Sequence, residues 1–136
     1  MGGAVCAEIA SHSAAADLLV LEASFNRGGE AVRGVVGNFV PLPVRVDVNE
    51  AVEAIDTGAR AAALDIPIMV LVATRDEVIP AEQQRALAAK VGAGDWKGRS
   101  VVEIPSKHNT VMFHPNTQAA VRAEFARLGW LAVPES

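Results

Sequence analysis

Apolar residues along this chain change repeatedly between helical and extended spacing, in the order helix, strand, helix, strand, helix, strand, helix. The clearest strand is Ile68 to Val72, an unbroken apolar run rich in branched side chains, which is typical of a parallel strand covered on both faces. Shorter runs at Leu18 to Leu21 and Ser100 to Ile104 predict a strand on either side of it. With right-handed crossovers, this order predicts an α/β fold: a three-stranded parallel sheet flanked by helices.

The remaining segments divide into four helices and one insertion. Val5 and Ile9 fall one turn apart and share an apolar face of the first helix. Residues 26–46 are rich in Gly and Pro, so they are expected to form a short, irregular, cap-like insertion. No domain linker is visible, and residues 1–136 are expected to form one domain. The predicted helices are Gly2 to Ala16, Val48 to Ala63, Gln83 to Val91 and Thr117 to Leu128.

Composition excludes several classes of function. The 136 residues are 51% hydrophobic, and 12 basic against 16 acidic residues give a net charge of −4 without a basic run, which argues against a nucleic-acid partner. The single cysteine, Cys6, can form neither an internal disulfide nor, alone, a zinc site, and it is expected to be a small core residue. No apolar run is long enough to cross a bilayer and no signal peptide is visible. We therefore expect a cytoplasmic protein without a metal or cofactor.

Two residues in strand-end loops are the candidates for chemistry. Asp76 follows the second predicted strand and His108 follows the third, 32 residues later. Adjacent parallel strands bring such loops together, and an aspartate that binds one imidazole nitrogen leaves the other free to act as a base. Separately, each has an ordinary explanation, because aspartate caps helices and loop histidines are usually solvated. Since both residues are in loops, alanine at either position is expected to cost little stability.

Other polar residues carry weaker signals. Glu22 ends the first predicted strand, where it could hydrogen-bond near Asp76 and His108 or simply bind backbone amides. His12 and His114 lack a paired carboxylate at a readable spacing, so surface or capping roles are expected. None of the serines has the strand, turn and helix setting of a nucleophile elbow. These serines are Ser11, Ser13, Ser24, Ser100, Ser106 and Ser136.

The segment Ala73 to Pro80 resembles the acid loop of α/β-hydrolases, Gly-x-x-Asp-x-x-x-Pro, with alanine in place of the glycine. His108 followed by Asn109 resembles the family's histidine loop, although serine and lysine precede it where glycine and alanine are usual. From Met1 to about Leu128 the chain resembles the C-terminal half of the small-capped lysophospholipase and serine-aminopeptidase type. The resemblance implies that Asp76 is the acid and His108 the base of a serine hydrolase that acts on ester or acyl bonds.

The first residues resemble the end of a nucleophile elbow, which in this branch often has the form Gly-x-Ser-Met-Gly-Gly. Met1, Gly2 and Gly3 match its last three positions, so the resemblance implies a nucleophilic serine immediately before Met1, together with a missing N-terminal half. Three hypotheses remain open at this point. The chain is the C-terminal part of a serine hydrolase, inactive alone; or it is a non-catalytic α/β module that associates through an exposed sheet edge; or it is a complete hydrolase with a rearranged nucleophile. Self-association or binding to the missing half is expected.

Overall fold

The computed structural model describes residues 2–13, 15–40, 42–92 and 98–131. Three parallel strands lie in the order β1, β2, β3, with helices on both faces of the sheet, so the predicted fold class is confirmed. Met1, Trp96 and Ser136 lie outside the described residues. The elements are α1 Gly2–His12, β1 Leu19–Glu22, α2 Gly28–Phe39, α3 Glu50–Glu53, α4 Thr57–Ala62, β2 Ile68–Ala73, α5 Ala81–Gly92, β3 Arg99–Ile104, a 3₁₀ turn His108–Thr110 and α6 Pro115–Arg127.

The central strand β2 is buried along its whole length, as its sequence predicts. Its side chains alternate between two apolar clusters, because successive residues of a strand point to opposite faces. Ile68, Val70 and Val72 pack with residues of α1, α4 and α5 on one face. Met69 and Leu71 pack on the other face against α6 and the segment that precedes it. The sheet is therefore covered on both sides, which accounts for the uninterrupted apolar run.

The register of the sheet fixes where the loops emerge. Leu19 pairs with Ile68 at the start of β1, and Ala73 pairs with Ile104 at the ends of β2 and β3. Because all three strands are parallel, their carboxyl ends lie at the same end of the sheet. Open α/β sheets place their binding sites at this carboxyl end.

The expectation of an irregular segment over residues 26–46 is wrong for most of its length, because Gly28–Phe39 forms the helix α2. Ala31 and Val35, one turn apart, pack with Phe25 and Ile79, and this burial outweighs the poor helix propensity of the glycines. Gly28 also permits close packing, since a Cβ atom there would lie 2.3 Å from the carbonyl oxygen of Val52.

The predicted helix Val48 to Ala63 is two short helices, α3 and α4. The predicted helix is interrupted before Asp56. The side chain of Asp56 accepts a hydrogen bond from the amide of Ala59 and so caps the start of α4. Asn49 caps α3 in the same way through the amide of Ala51. Asp47, which precedes the predicted helix, does not cap it and forms an exposed ion pair with Arg45.

The segment between β1 and β2 is closed at its base. An antiparallel bridge joins Arg27 to Asp56, and backbone hydrogen bonds of 2.9 and 3.0 Å join Thr57 to Asn26 and Gly28 to Ile55. The Lys90 ammonium of α5 adds hydrogen bonds of 2.7 and 2.9 Å to the Asp56 carboxylate. The two ends of the segment between β1 and β2 are therefore held together beside the sheet.

Helix α1 contacts the sheet through its smallest residues. Ala7 is fully buried, and a Cβ atom on Gly3 would lie 2.0 Å from Oγ of Ser24, just past the end of β1. The larger residues point outward: Val5 and Ile9 are 54% and 61% exposed, and Cys6 is exposed, so the expected core position of Cys6 is wrong. The close approach of α1 to the sheet leaves room only for glycine and alanine on the contact face.

Strand β1 pairs with β2 on one side, and no described residue pairs with its other side. Val5 and Ile9 on the exposed face of α1 line a cavity of about 250 Å³ together with Ile55 and Arg60. No helix among the described residues combines the length and the apolar character that a membrane span requires.

Candidate active site

Asp76 lies three residues beyond the end of β2, and its side chain is fully buried. One carboxylate oxygen, Oδ1, accepts hydrogen bonds of 2.8 Å from the backbone amides of Val78 and Ile79. The chain must turn tightly after Asp76 for these amides to reach it, and the side chains of Val78 and Ile79 then pack in the cluster beneath α2. The loop is thus held from both sides.

His108 lies four residues beyond the end of β3 and opens the 3₁₀ turn. Its Nδ1 atom is 2.8 Å from Oδ2 of Asp76, so the predicted proximity of the two residues is confirmed. The carboxylate can only accept a hydrogen bond, and therefore Nδ1 carries the proton when the ring is neutral. The imidazole is 29% exposed, and its second nitrogen, Nε2, is left as the basic atom for another group.

Two backbone hydrogen bonds join the loops that carry this pair. The amide of Thr74 donates to the carbonyl of Ile104 at 2.9 Å, and the amide of Arg75 donates to the carbonyl of Ser106 at 3.1 Å. The ladder between β2 and β3 therefore continues beyond the strands. This continuation sets the distance between the two loops independently of the Asp76 and His108 side chains.

Gln84 is a third member of the site that the sequence analysis missed. Its buried amide donates a 2.8 Å hydrogen bond to Oδ2 of Asp76 and another to the carbonyl of Ile79, and it accepts one of 2.7 Å from the amide of Ala73. A signal was present in the sequence, because Gln84 lies on the same helical face as Leu87 and Val91. A polar residue on an apolar helix face requires partners in the core.

Glu22 ends β1 and faces a cavity of about 400 Å³ that is also lined by His108, Met112 and Phe113. Burial raises the pKa of the Glu22 carboxyl from its ordinary value, while a hydrogen bond from the Met112 amide and the nearby His108 imidazole act in the opposite direction. Glu22 therefore lies in the same cavity as His108, and the Met112 amide and His108 both act to lower the pKa of its carboxyl.

The cavity beside His108 contains no hydroxyl or thiol among its described lining residues, which are Glu22, Ala23, His108, Asn109, Met112 and Phe113. Ser106, the serine closest in sequence, is buried and lines a separate cavity of about 330 Å³. Its Oγ atom has no hydrogen-bond partner within the described part of the chain.

The other titratable candidates lie elsewhere. His114 caps α6 by accepting a hydrogen bond from the Asn116 amide, and His12 is exposed at the end of α1 beside Glu8. Within residues 2–13, 15–40, 42–92 and 98–131, no three potential metal ligands cluster.

Comparison with known proteins gives structural but not sequence relatives. No protein-family model and no curated protein sequence matches the chain. Among solved structures, an esterase of Pyrococcus furiosus is similar with a TM-score of 0.68 and 12% identity over 96% of this chain and 51% of that one. A hydrolase of Pseudomonas aeruginosa has a TM-score of 0.54 and 19% identity, and an enol-lactonase of Burkholderia xenovorans 0.53 and 18%; this chain covers 62% of each, with 96% of its own length.

This chain thus spans between about half and two thirds of the length of these structural neighbours. At such low identities the likeness concerns the fold. The three parallel strands and their flanking helices have the arrangement found in α/β-hydrolases.

Proposed function

We propose that this chain supplies the acid and the base of a serine hydrolase that cleaves ester or acyl bonds, and that the nucleophilic serine comes from a second half of the fold. The main support for this proposal is the hydrogen bond between Asp76 and His108, which lies beside an open cavity. In this role Asp76 fixes the proton of His108 on Nδ1. Nε2 then takes the proton of the serine hydroxyl and later returns it to the leaving group.

The branch suggested by the sequence, the small-capped lysophospholipase and serine-aminopeptidase type, belongs to this proposal. The three structural neighbours include an esterase and an enol-lactonase, and both names concern hydrolysis of a carboxylic ester bond. They support an ester or acyl substrate for this chain. The cavity beside His108 has one carboxylate, Glu22, and apolar surface from Met112 and Phe113, so it offers space for a small substrate.

The proposed second half would occupy surfaces that this chain leaves open. The side of β1 that has no partner among the described residues offers backbone hydrogen bonds for another strand, and Val5 and Ile9 of α1 offer exposed apolar surface. The N-terminal end of α1 lies against Ser24, at the same carboxyl end of the sheet as Asp76 and His108. A serine placed just before α1 would therefore lie close to these two residues, and the helix would follow it as in a nucleophile elbow.

The chain alone should have no hydrolase activity. A proton acceptor without a nucleophile cannot form an acyl-enzyme, and loss of even one oxyanion-hole donor costs about a hundredfold or more in rate. We expect the purified chain to hydrolyse p-nitrophenyl butyrate no faster than its His108→Ala variant, and to remain unlabelled by a fluorophosphonate probe. Stoichiometric labelling of a serine within the chain would instead establish a rearranged nucleophile and overturn the proposal.

The positive test uses the genomic sequence upstream of the coding region, translated in frame with residue 2. We expect a Gly-x-Ser preceded by a strand pattern. The extended protein should be labelled on that serine, and hydrolysis should be lost in both Asp76→Ala and His108→Ala variants. An upstream sequence with no such motif, in frame or in a neighbouring reading frame, contradicts the proposal.

The second candidate, a non-catalytic module that associates through its sheet edge, is favoured by one observation: one side of β1 has no partner strand among the described residues, while Val5 and Ile9 of α1 are exposed. Association through this surface requires neither Asp76 nor His108. If the chain forms a stable complex whose affinity is unchanged in the His108→Ala variant, and the extended protein remains inactive, this candidate replaces the first.

A further inference from the structure

The amide of Gln84 joins three parts of the site: the end of β2, the acid loop and helix α5. Its oxygen accepts from the amide of Ala73 at 2.7 Å, and its nitrogen donates to Oδ2 of Asp76 and to the carbonyl of Ile79, both at 2.8 Å. These partners fix which way round the side-chain amide of Gln84 lies, because the N–H of Ala73 can only donate and the carbonyl oxygen of Ile79 can only accept. Both N–H groups are used, and the residue is completely buried.

Asp76 consequently accepts four hydrogen bonds, two at each carboxylate oxygen. The backbone amides hold Oδ1. At Oδ2, the only donor among the described residues besides the partly exposed His108 ring is the buried amide of Gln84. With Oδ1 held by the two amides, the Gln84 contact fixes the position of Oδ2, and hence the direction in which Oδ2 meets Nδ1 of His108.

We infer that Gln84 is a positioning residue, which acts through Asp76 to hold the His108 ring with its proton on Nδ1. The inference deepens the proposed function and gains its catalytic meaning from it, but the geometry can be tested without any activity. A purely structural role predicts something different. In that case Gln84 would only satisfy the amide of Ala73, and its loss would lower stability without changing the state of His108.

The test is an imidazole proton–nitrogen correlation spectrum of the isotope-labelled full chain, in which His108 is assigned by its absence from the His108→Ala variant. In the Gln84→Met variant, which keeps the side-chain length but has no amide, we expect the Nδ1-protonated tautomer of His108 to lose population. We also expect exchange of its Nδ1 proton with water to accelerate by about tenfold, the scale of one lost hydrogen bond. The signals of His12 and His114 should not change.

Two controls separate positioning from stability. Gln83→Met removes the neighbouring amide, which binds the carboxylate of Glu30 and not Asp76. Leu87→Ala opens a cavity one turn further along the buried face of α5 and lowers stability without touching the acid loop. Both variants should retain the wild-type tautomer and exchange rate of His108.

If Gln84→Met does not fold, Gln84→Leu is measured in its place, because leucine also lacks an amide and cannot donate a hydrogen bond to Asp76. A wild-type tautomer and exchange rate of His108 in a folded Gln84 variant would overturn the inference. That outcome would leave the proposed hydrolase function untouched, since the latter depends on labelling of the upstream serine.

Discussion

Asp76 and His108 share one hydrogen bond of 2.8 Å, yet the protein holds the two side chains very differently. The Asp76 side chain is fully buried and accepts three further hydrogen bonds, two of them from backbone amides. The imidazole of His108 is 29% exposed and is reached from the cavity beside it. The Asp76 carboxylate is thus part of the folded core of its loop, whereas the His108 imidazole is a side chain at the surface of the site.

Alanine substitutions should therefore have unequal effects on stability, contrary to the expectation from loop position alone. We expect Asp76→Ala to lower the free energy of unfolding by about 3 kcal/mol, since it leaves buried donors without acceptors at roughly 1–3 kcal/mol each. His108→Ala should cost less than about 1 kcal/mol, because it removes a partly exposed ring. Urea unfolding of both variants measures the difference. Equal losses would show that the carboxylate is not held as the structure indicates.

How much of this arrangement the sequence could predict depends on the range of the interactions. Proximity of Asp76 and His108 follows from local features, namely two apolar runs and the residues that end them. Gln84 could not be assigned to Asp76, because its three partners lie in different segments and meet only after α5 packs on β2. Its polarity on an apolar helix face was the one visible signal.

The same distinction explains the errors elsewhere in the chain. Glycine content predicts an irregular segment where α2 forms, because propensity is a property of the residue, whereas the packing of Ala31 and Val35 against Ile79 depends on the fold. The spacing of Val5 and Ile9 predicts an apolar helix face correctly. It does not reveal that α1 contacts the sheet through the opposite, smaller residues.

Glu22 should make stability depend on pH. Burial raises the pKa of its carboxyl above the ordinary value of 4.5, so the stability it contributes is fully present below the unfolded value and is lost as pH rises through the folded value. We expect Glu22→Gln, which can still accept from the Met112 amide, to raise the melting temperature at about pH 7 and to have little effect at about pH 3.5.

Thermal unfolding of the wild type and the Glu22→Gln variant at these two values measures the effect. Asp56 is expected to affect stability in the opposite direction as pH changes, because its pKa is lowered, not raised. Although burial raises its pKa, the Lys90 and Ala59 hydrogen bonds and nearby cations lower it overall. Its contribution is therefore present at neutral pH and is lost as pH falls. A Glu22→Gln variant that is less stable than the wild type at neutral pH would contradict the assignment.

The contact between α1 and the end of β1 can be tested with two neighbouring glycines. A Cβ atom on Gly3 would lie 2.0 Å from Oγ and 2.8 Å from Cβ of Ser24, whereas one on Gly2 meets nothing within 4 Å. We expect Gly3→Ala to cost about 1–3 kcal/mol through overpacking. Gly2→Ala should be neutral or slightly stabilising, because alanine favours the helix.

Differential scanning calorimetry compares the two variants, and the double variant Gly3→Ala with Ser24→Gly should recover part of the loss. Equal melting temperatures for Gly2→Ala and Gly3→Ala would indicate that α1 is not seated against Ser24.

The isolated chain should self-associate through the open side of β1 and the apolar face of α1. We expect sedimentation at micromolar concentration to show species larger than a monomer, and the double variant Val5→Lys with Ile9→Lys to shift the distribution toward monomer. Val101→Lys is the matched control, since Val101 is 48% exposed on β3 at the far side of the sheet. If Val101→Lys alone produces monomer, the interface lies at the other edge.

The contacts that close the base of the segment between β1 and β2 affect which parts of this protein can change in sequence and length. Because Asn26 and Thr57 are hydrogen-bonded to each other, the spacing of the two strands does not depend on the length of chain between them. Lengthening a closed loop is also cheap, at about 0.6 kcal/mol for each doubling. The far part of this segment, residues 42–49, can therefore gain, lose or exchange residues between descendants while Asp76 and His108, carried by later loops, keep their geometry. Substitutions and insertions can thus accumulate in one part of the gene without changing the contact between two residues encoded in another.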